Sequence, residues 1–94
     1  MPITINTTVV RTEGLMTAPV DNDIVILNMK GNNYLSLDSI GRRIWELLAA
    51  PILVTDLCRQ LATEFQGGEE QIAADVLAFL ARLEAEGLVL VVAG

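Results

Sequence analysis

The sequence predicts an α+β domain of the winged helix-turn-helix kind, a three-stranded antiparallel sheet followed by three helices. Three observations carry this. Period-two, β-branched apolar segments occupy the first 37 positions, and three segments of helical periodicity fill positions 38 to 86. The breakers Pro51 and Gly67-Gly68 separate those helical segments. Runs of strands followed by runs of helices are the order of an α+β fold rather than of alternating βα units.

Ile3, Ile5, Thr7 and Val9 alternate with Thr4, Asn6, Thr8 and Val10, which suits a first strand. Glu13-Gly14 through Pro19-Val20-Asp21-Asn22 collects turn formers and reads as a loop. Ile24 to Met29 is apolar on both faces, as a central strand is. Lys30-Gly31-Asn32-Asn33 offers residues that tolerate positive φ, so a hairpin leads into a third strand, Tyr34 to Leu37.

Asp38 or Ser39 caps the first helix, in which Ile40, Ile44, Leu47 and Leu48 share one face and which Pro51 ends. Gly41 inside it costs about 1 kcal/mol against alanine, which points to a close backbone approach. The second helix lies between Leu53 and Phe65, with Thr55 as its cap and Leu57, Leu61 and Phe65 facing inward. Glu69 to Glu86 is the longest helix, acidic in its first turn and stopped by Gly87. Leu88 to Val92 follows as a short strand or buried tail. Trp45, Ile44, Leu57 and Leu61 are read as core, and Arg42 and Arg43 as a solvated face.

The 94 residues make one domain, 1-94, with a single modest core. Hydrophobic residues are 52% of the chain before its seven glycines are added. That exceeds the roughly 45–50%, glycine included, of soluble domains, and leaves apolar surface for a partner or for homodimerisation. A net charge of −6 repels nucleic acid and anionic lipid. The longest helix carries five carboxylates against Arg82 alone, so the DNA-reading use of a winged helix is excluded. No segment resembles a signal peptide or a membrane span, which gives a cytoplasmic expectation. The chain lacks histidine and has a single cysteine, Cys58, so no catalytic constellation, metal site or cofactor site is expected, and Cys58 is read as structural. Asp21-Asn22-Asp23 lacks the glycine and the terminal glutamate of a calcium loop and is read as a turn.

On a helical wheel the apolar arc of the longest helix runs from Phe79 through Ile72, Leu83, Val76, Leu80 and Ala73 to Leu77. It spans roughly 160°, where a core stripe needs little more than 100°. The surplus edge at Phe79 is bordered by Glu86, Asp75 and Arg82, the mixture of ring and charge that suits a peptide groove wall. The strand Tyr34-Leu35-Ser36-Leu37, if it lies at an edge, offers unpaired backbone groups to an added strand.

The stretch NNYLSLDSIGRRIWELL, the segment DVLAFLARL and the closing EGLVLV together resemble the PqqD-like family, leader-peptide recognition domains of ribosomal peptide natural-product pathways. The resemblance covers about residues 20 to 92 and rests on Tyr34, Leu37-Asp38, Gly41, Ile44-Trp45, Leu47-Leu48, Asp75, Phe79-Leu80 and Gly87-Leu88. Asn32 stands where a turn glycine is common, one aromatic replaces two in Asn33-Tyr34-Leu35, and Asp38 replaces an asparagine. The resemblance implies that a precursor's leader peptide adds as a strand to the third strand, Tyr34, Leu35, Ser36 and Leu37, against the third helix. Ile72, Val76, Phe79 and Leu83 would form a hydrophobic wall, and Asp75 and Arg82 would fix orientation. A separate chain of this length is similar to the lasso-peptide version. That version is non-catalytic and escorts the precursor to a transglutaminase-like leader peptidase, itself partnered by an ATP-dependent cyclase. The alternatives are a PqqD-type chaperone that delivers a precursor to a radical enzyme, and a homodimeric interaction domain.

Overall fold

The computed structural model describes residues 3–28 and 33–92, with the side chain of Asn33 set aside. The expected turn at Lys30-Gly31-Asn32, and Met29 before it, lie outside the described residues. The elements run β1 (Thr8–Arg11), β2 (Met16–Val20), β3 (Asp23–Asn28), β4 (Asn33–Leu37), α1 (Ser39–Leu47), β5 (Ile52–Leu53), α2 (Val54–Glu64), α3 (Glu69–Ala85) and β6 (Val89–Val92).

An antiparallel three-stranded sheet, in the order β2-β3-β4, precedes the three helices. Its membership differs from the expectation. The segment read as a loop contains β2, and the strand read at Ile3 to Val10 begins only at Thr8 and belongs to a second sheet, β5-β1-β6. The physical reason lies in local polar competition. The Thr7 hydroxyl accepts from the Thr4 amide at 3.0 Å, and the Thr7 amide donates to the Thr4 carbonyl at 3.1 Å, so residues 4 to 7 turn instead of extending. Pro19 is tolerated in β2 because β2 is an edge. Asp21, at φ 55°, makes the tight turn into β3, and the Arg42 guanidinium reaches the carbonyls of Asp21 and Asp23 at 3.5 Å.

β3 is central, as its apolar run predicts. Ile24 and Ile26 face inward opposite Leu37 and Leu35 of β4. These four meet Ile44, Trp45 and Leu48 of the α1 segment, Leu57 and Leu61 of α2, and Val76, Leu80 and Leu83 of α3 in one core. The Asp38 carboxylate accepts from the Gly41 amide at 2.8 Å, so Asp38 rather than Ser39 caps α1. Thr55 does not cap α2; its hydroxyl donates to the Ile5 carbonyl at 2.7 Å, and the helix starts without a side-chain cap. α3 ends in a Schellman turn: Gly87, at φ 74°, donates to Glu84 and Leu88 donates to Leu83. Ile40, placed on the inward stripe by its spacing, is 46% exposed, because the first turn of α1 overhangs the core edge. Arg43 is more than a solvated side chain, since it clamps Glu64 of α2 through two hydrogen bonds of 2.7 and 3.0 Å. No helix is long and apolar enough to cross a membrane among the described residues.

Candidate functional site

β4 pairs with β3 along one side, and among the described residues nothing pairs with its other side. The amino-terminal segment and β6, the two pieces of chain able to fill that edge, are engaged in the second sheet. The polar backbone groups along the free side of β4 therefore face outward, a ready template for an extended chain.

The free edge opens onto a groove of about 510 Å³. Its one wall is the end of β4 and the first turn of α1, through Ser36, Leu37, Asp38, Ile40 and Gly41. The facing wall is α3, through Gln71, Ile72, Asp75, Val76, Phe79 and Arg82. Phe65, Gln66 and Gly67 close one end. The direction of α3 follows from its tether: the Asn28 side-chain amide donates to the Glu86 carbonyl at 3.1 Å, and Asn28 pairs with Asn33. The carboxyl end of α3 thus lies beside the start of β4, and its amino end lies beyond β4, toward Phe65. Gly41 lies between the two walls. A Cβ there would stand 3.1 Å from Leu37 Cβ, closer than side chains ordinarily pack, and 3.5 Å from Phe79 Cζ, an ordinary van der Waals distance, so it is the close approach of α1 to the end of β4 that calls for glycine.

Seven of the ten residues singled out from the sequence line this groove: Ser36, Leu37, Ile72, Asp75, Val76, Phe79 and Arg82. Ile72 and Phe79 are half-buried, with apolar surface turned into the groove, whereas Val76, 2% exposed, lies at the foot of the α3 wall. Leu83 is fully buried in the core and does not reach the groove. Leu35 and Leu37 also point into the core, so in β4 the backbone is what an added strand meets. The Tyr34 side chain is 69% exposed and lies on the outer face of the sheet, away from the groove. Asp75 accepts from Gln71 at 2.9 Å, and Arg82 has no carboxylate partner among the described residues.

Ile40, Phe65, Gln66 and Gln71 also line the groove, although neither helical periodicity nor the family resemblance singles them out as site residues. Ile40 belongs to the same stripe as Ile44, and only the overhang of the first turn exposes it. Phe65 sits at the end of α2, where its position depends on how α3 folds back.

A second cleft, of about 310 Å³, lies between the β1–β2 connection and α1. There the Arg11 guanidinium stacks 5.6 Å from the centroid of the Trp45 ring and donates to the Trp45 carbonyl at 3.3 Å. Cys58 is half-buried and free, and burial pushes its thiol pKa up, the opposite of what an activated thiol requires. Among the described residues no three His, Cys, Asp or Glu side chains are placed to hold a metal ion.

Fold and groove together define a small winged-helix domain with an open sheet edge. Residues 23–89 match the family of coenzyme PQQ synthesis protein D (PqqD), and the chain belongs to that family. It is similar in fold to the solved structure of TbiB1 in complex with the TbiA(beta) leader peptide. That similarity has a TM-score of 0.79 at 24% identity, over 90% of this chain and 99% of the other. No protein of curated function matches the chain.

Proposed function

We propose that the protein is a non-catalytic adaptor that binds the leader region of a ribosomally made precursor peptide and presents it to a processing enzyme. The leader adds as a strand to the free edge of β4, and its side chains on one face enter the groove against α3. The observation that carries this reading is the coincidence of an unpaired strand edge with a groove of about 510 Å³ at that strand's carboxyl end. Backbone pairing supplies affinity that is indifferent to sequence, and the apolar surfaces of Ile40, Ile72 and Phe79 select which side chains are accepted. Arg82 and Asp75 border the groove with opposite charges and set the direction of the guest. The leader-bound state of TbiB1, a protein of similar fold, supports the same use here.

The enzyme served is, on this reading, the transglutaminase-like leader peptidase of lasso-peptide biosynthesis, with its ATP-dependent cyclase downstream, in the cytoplasm. The family's own description favours a second reading, delivery of a precursor to a radical enzyme of PQQ synthesis. Titration with two synthetic leaders separates them, one from a lasso-peptide precursor and one from a PQQ precursor. The first is expected to bind with a dissociation constant of about 1 μM and the second at least tenfold more weakly. Phe79→Ala and Arg82→Glu should each weaken the first leader about tenfold or more, with helix content unchanged. Ser36→Pro, which removes a backbone donor of β4, tests the strand itself. Unchanged affinity in folded Phe79→Ala and Arg82→Glu variants would exclude the groove.

A further inference from the structure

Four side chains of α3 form one stripe along the groove wall, Ile72, Asp75, Phe79 and Arg82, at steps of three, four and three residues. Apolar and charged side chains alternate along it, and the charge changes sign from one end to the other. Of the charged groups that line the groove, Asp38 is committed to the cap of α1, 2.8 Å from the Gly41 amide. Asp75 and Arg82 remain. Asp75 accepts through Oδ1 from the neutral carboxamide of Gln71, and Arg82 has no carboxylate partner among the described residues. Both are exposed, so both are open to a charge on the guest.

On the leader reading above, on which this inference rests, spacing and direction turn those charges into a sequence requirement. From Asp75 to Arg82 the helix rises about 10.5 Å, at about 1.5 Å per residue. An extended guest advances about 3.4 Å per residue, so its groove-facing side chains recur every ~6.8 Å. Two successive ones are too close together and leave no side chain between the charges for Phe79. The first and third of them stand about 13.6 Å apart, a difference of about 3 Å that the long arms of Arg82 and of the guest's own charged residues take up. The one between them falls against the Phe79 ring. Direction follows from the sheet. The carboxyl end of α3 lies beside the start of β4, so β4 runs from the Arg82 end of the stripe toward the Asp75 end. Antiparallel pairing is the more stable mode per residue, and a guest so paired runs the other way and meets Asp75 before Arg82. We infer that the groove selects a leader in which a basic, a large apolar and an acidic residue follow in that order at alternate positions, held by Asp75, Phe79 and Arg82.

Two capped nonapeptides of identical composition test the order. One carries lysine, leucine and glutamate at its third, fifth and seventh positions among threonines, and the other carries glutamate, leucine and lysine there. Neither has a net charge, so the −6 of the chain acts on both alike. NMR titration of the labelled protein to about 5 mM peptide, followed at the Ser36 and Phe79 amides, is expected to show the lysine-first peptide binding about fivefold more tightly, because the other order replaces two exposed attractions by two repulsions. Exchanging the pair, Asp75→Lys with Arg82→Glu, keeps the net charge and should invert the preference; circular dichroism establishes that this variant folds. Equal affinity for the two orders, a glutamate-first preference in the unaltered protein, or a preference that the exchange does not invert overturns the proposal. So does an absence of shifts with either peptide. The leader reading itself is judged by the separate titration with the two precursor leaders, so its failure and the failure of the charge order are told apart.

Discussion

Gly41 and Asp38 join the strand edge to the helix that borders the groove. A methyl group at Gly41 would gain about 1 kcal/mol of helix propensity, but it would stand 3.1 Å from Leu37 Cβ, an atom fixed to β4 that cannot swing away. Overpacking of this kind costs about 1 to 3 kcal/mol, so Gly41→Ala is expected to destabilise the fold by about 1 kcal/mol net in urea unfolding. Asp38→Ala removes the acceptor of the Gly41 amide and is expected to cost about 1 kcal/mol, read as a lower urea midpoint at unchanged slope. An Asp38→Asn variant, which keeps an acceptor, should recover most of that loss.

Among the elements, α1 and α2 touch through a surface clamp with a definite pH signature. Hydrogen bonds from Arg43 and then Gln60 hold the Glu64 carboxyl below the usual carboxylate range. A carboxylate with a depressed folded-state pKa stabilises the fold above its unfolded value, near 4.5, and loses that contribution as pH falls through the folded value. Unfolding midpoints of the unaltered protein and Glu64→Gln should therefore differ at pH 7 and converge as pH drops below about 4.5. The difference is small and shrinks in salt, because the pair is exposed. The three helices were legible in the sequence because each combines a 3.6-residue stripe with a physical stop: Pro51, Gly67-Gly68, and the positive φ of Gly87. β2 was not legible, since all five of its residues are exposed and its inward positions, Thr17 and Pro19, give no apolar alternation. The second sheet was hidden for another reason. Its central strand pairs with Ile52–Leu53 and Val89–Val92, some 40 to 80 positions away, and two residues have no period to read. In the groove, the width of the α3 arc revealed a surplus edge and so located Ile72 and Phe79. It could not say that Leu83 is closed into the core, nor that the first turn of α1 exposes Ile40.

At the scale of the whole molecule, the two sheets have separate tasks. The second sheet ties the amino-terminal strand and β6 together, and in doing so keeps both away from β4. The first sheet consequently keeps one edge open beside α3 and one apolar face turned to solvent, which is how the hydrophobic surplus of the composition is distributed. Strand addition to β4 makes a demand that other binding modes do not. Amides on the free side of β4 must become bonded to the guest, while those facing β3 stay as they were. Hydrogen exchange followed by NMR on the protein with and without a saturating leader peptide measures this residue by residue. The account predicts new protection at alternate amides between Tyr34 and Leu37, together with shifts at Ile72 and Phe79. Protection gained instead along β2 or β6, or a bound peptide that leaves the β4 amides exchanging at their free rates, would contradict it.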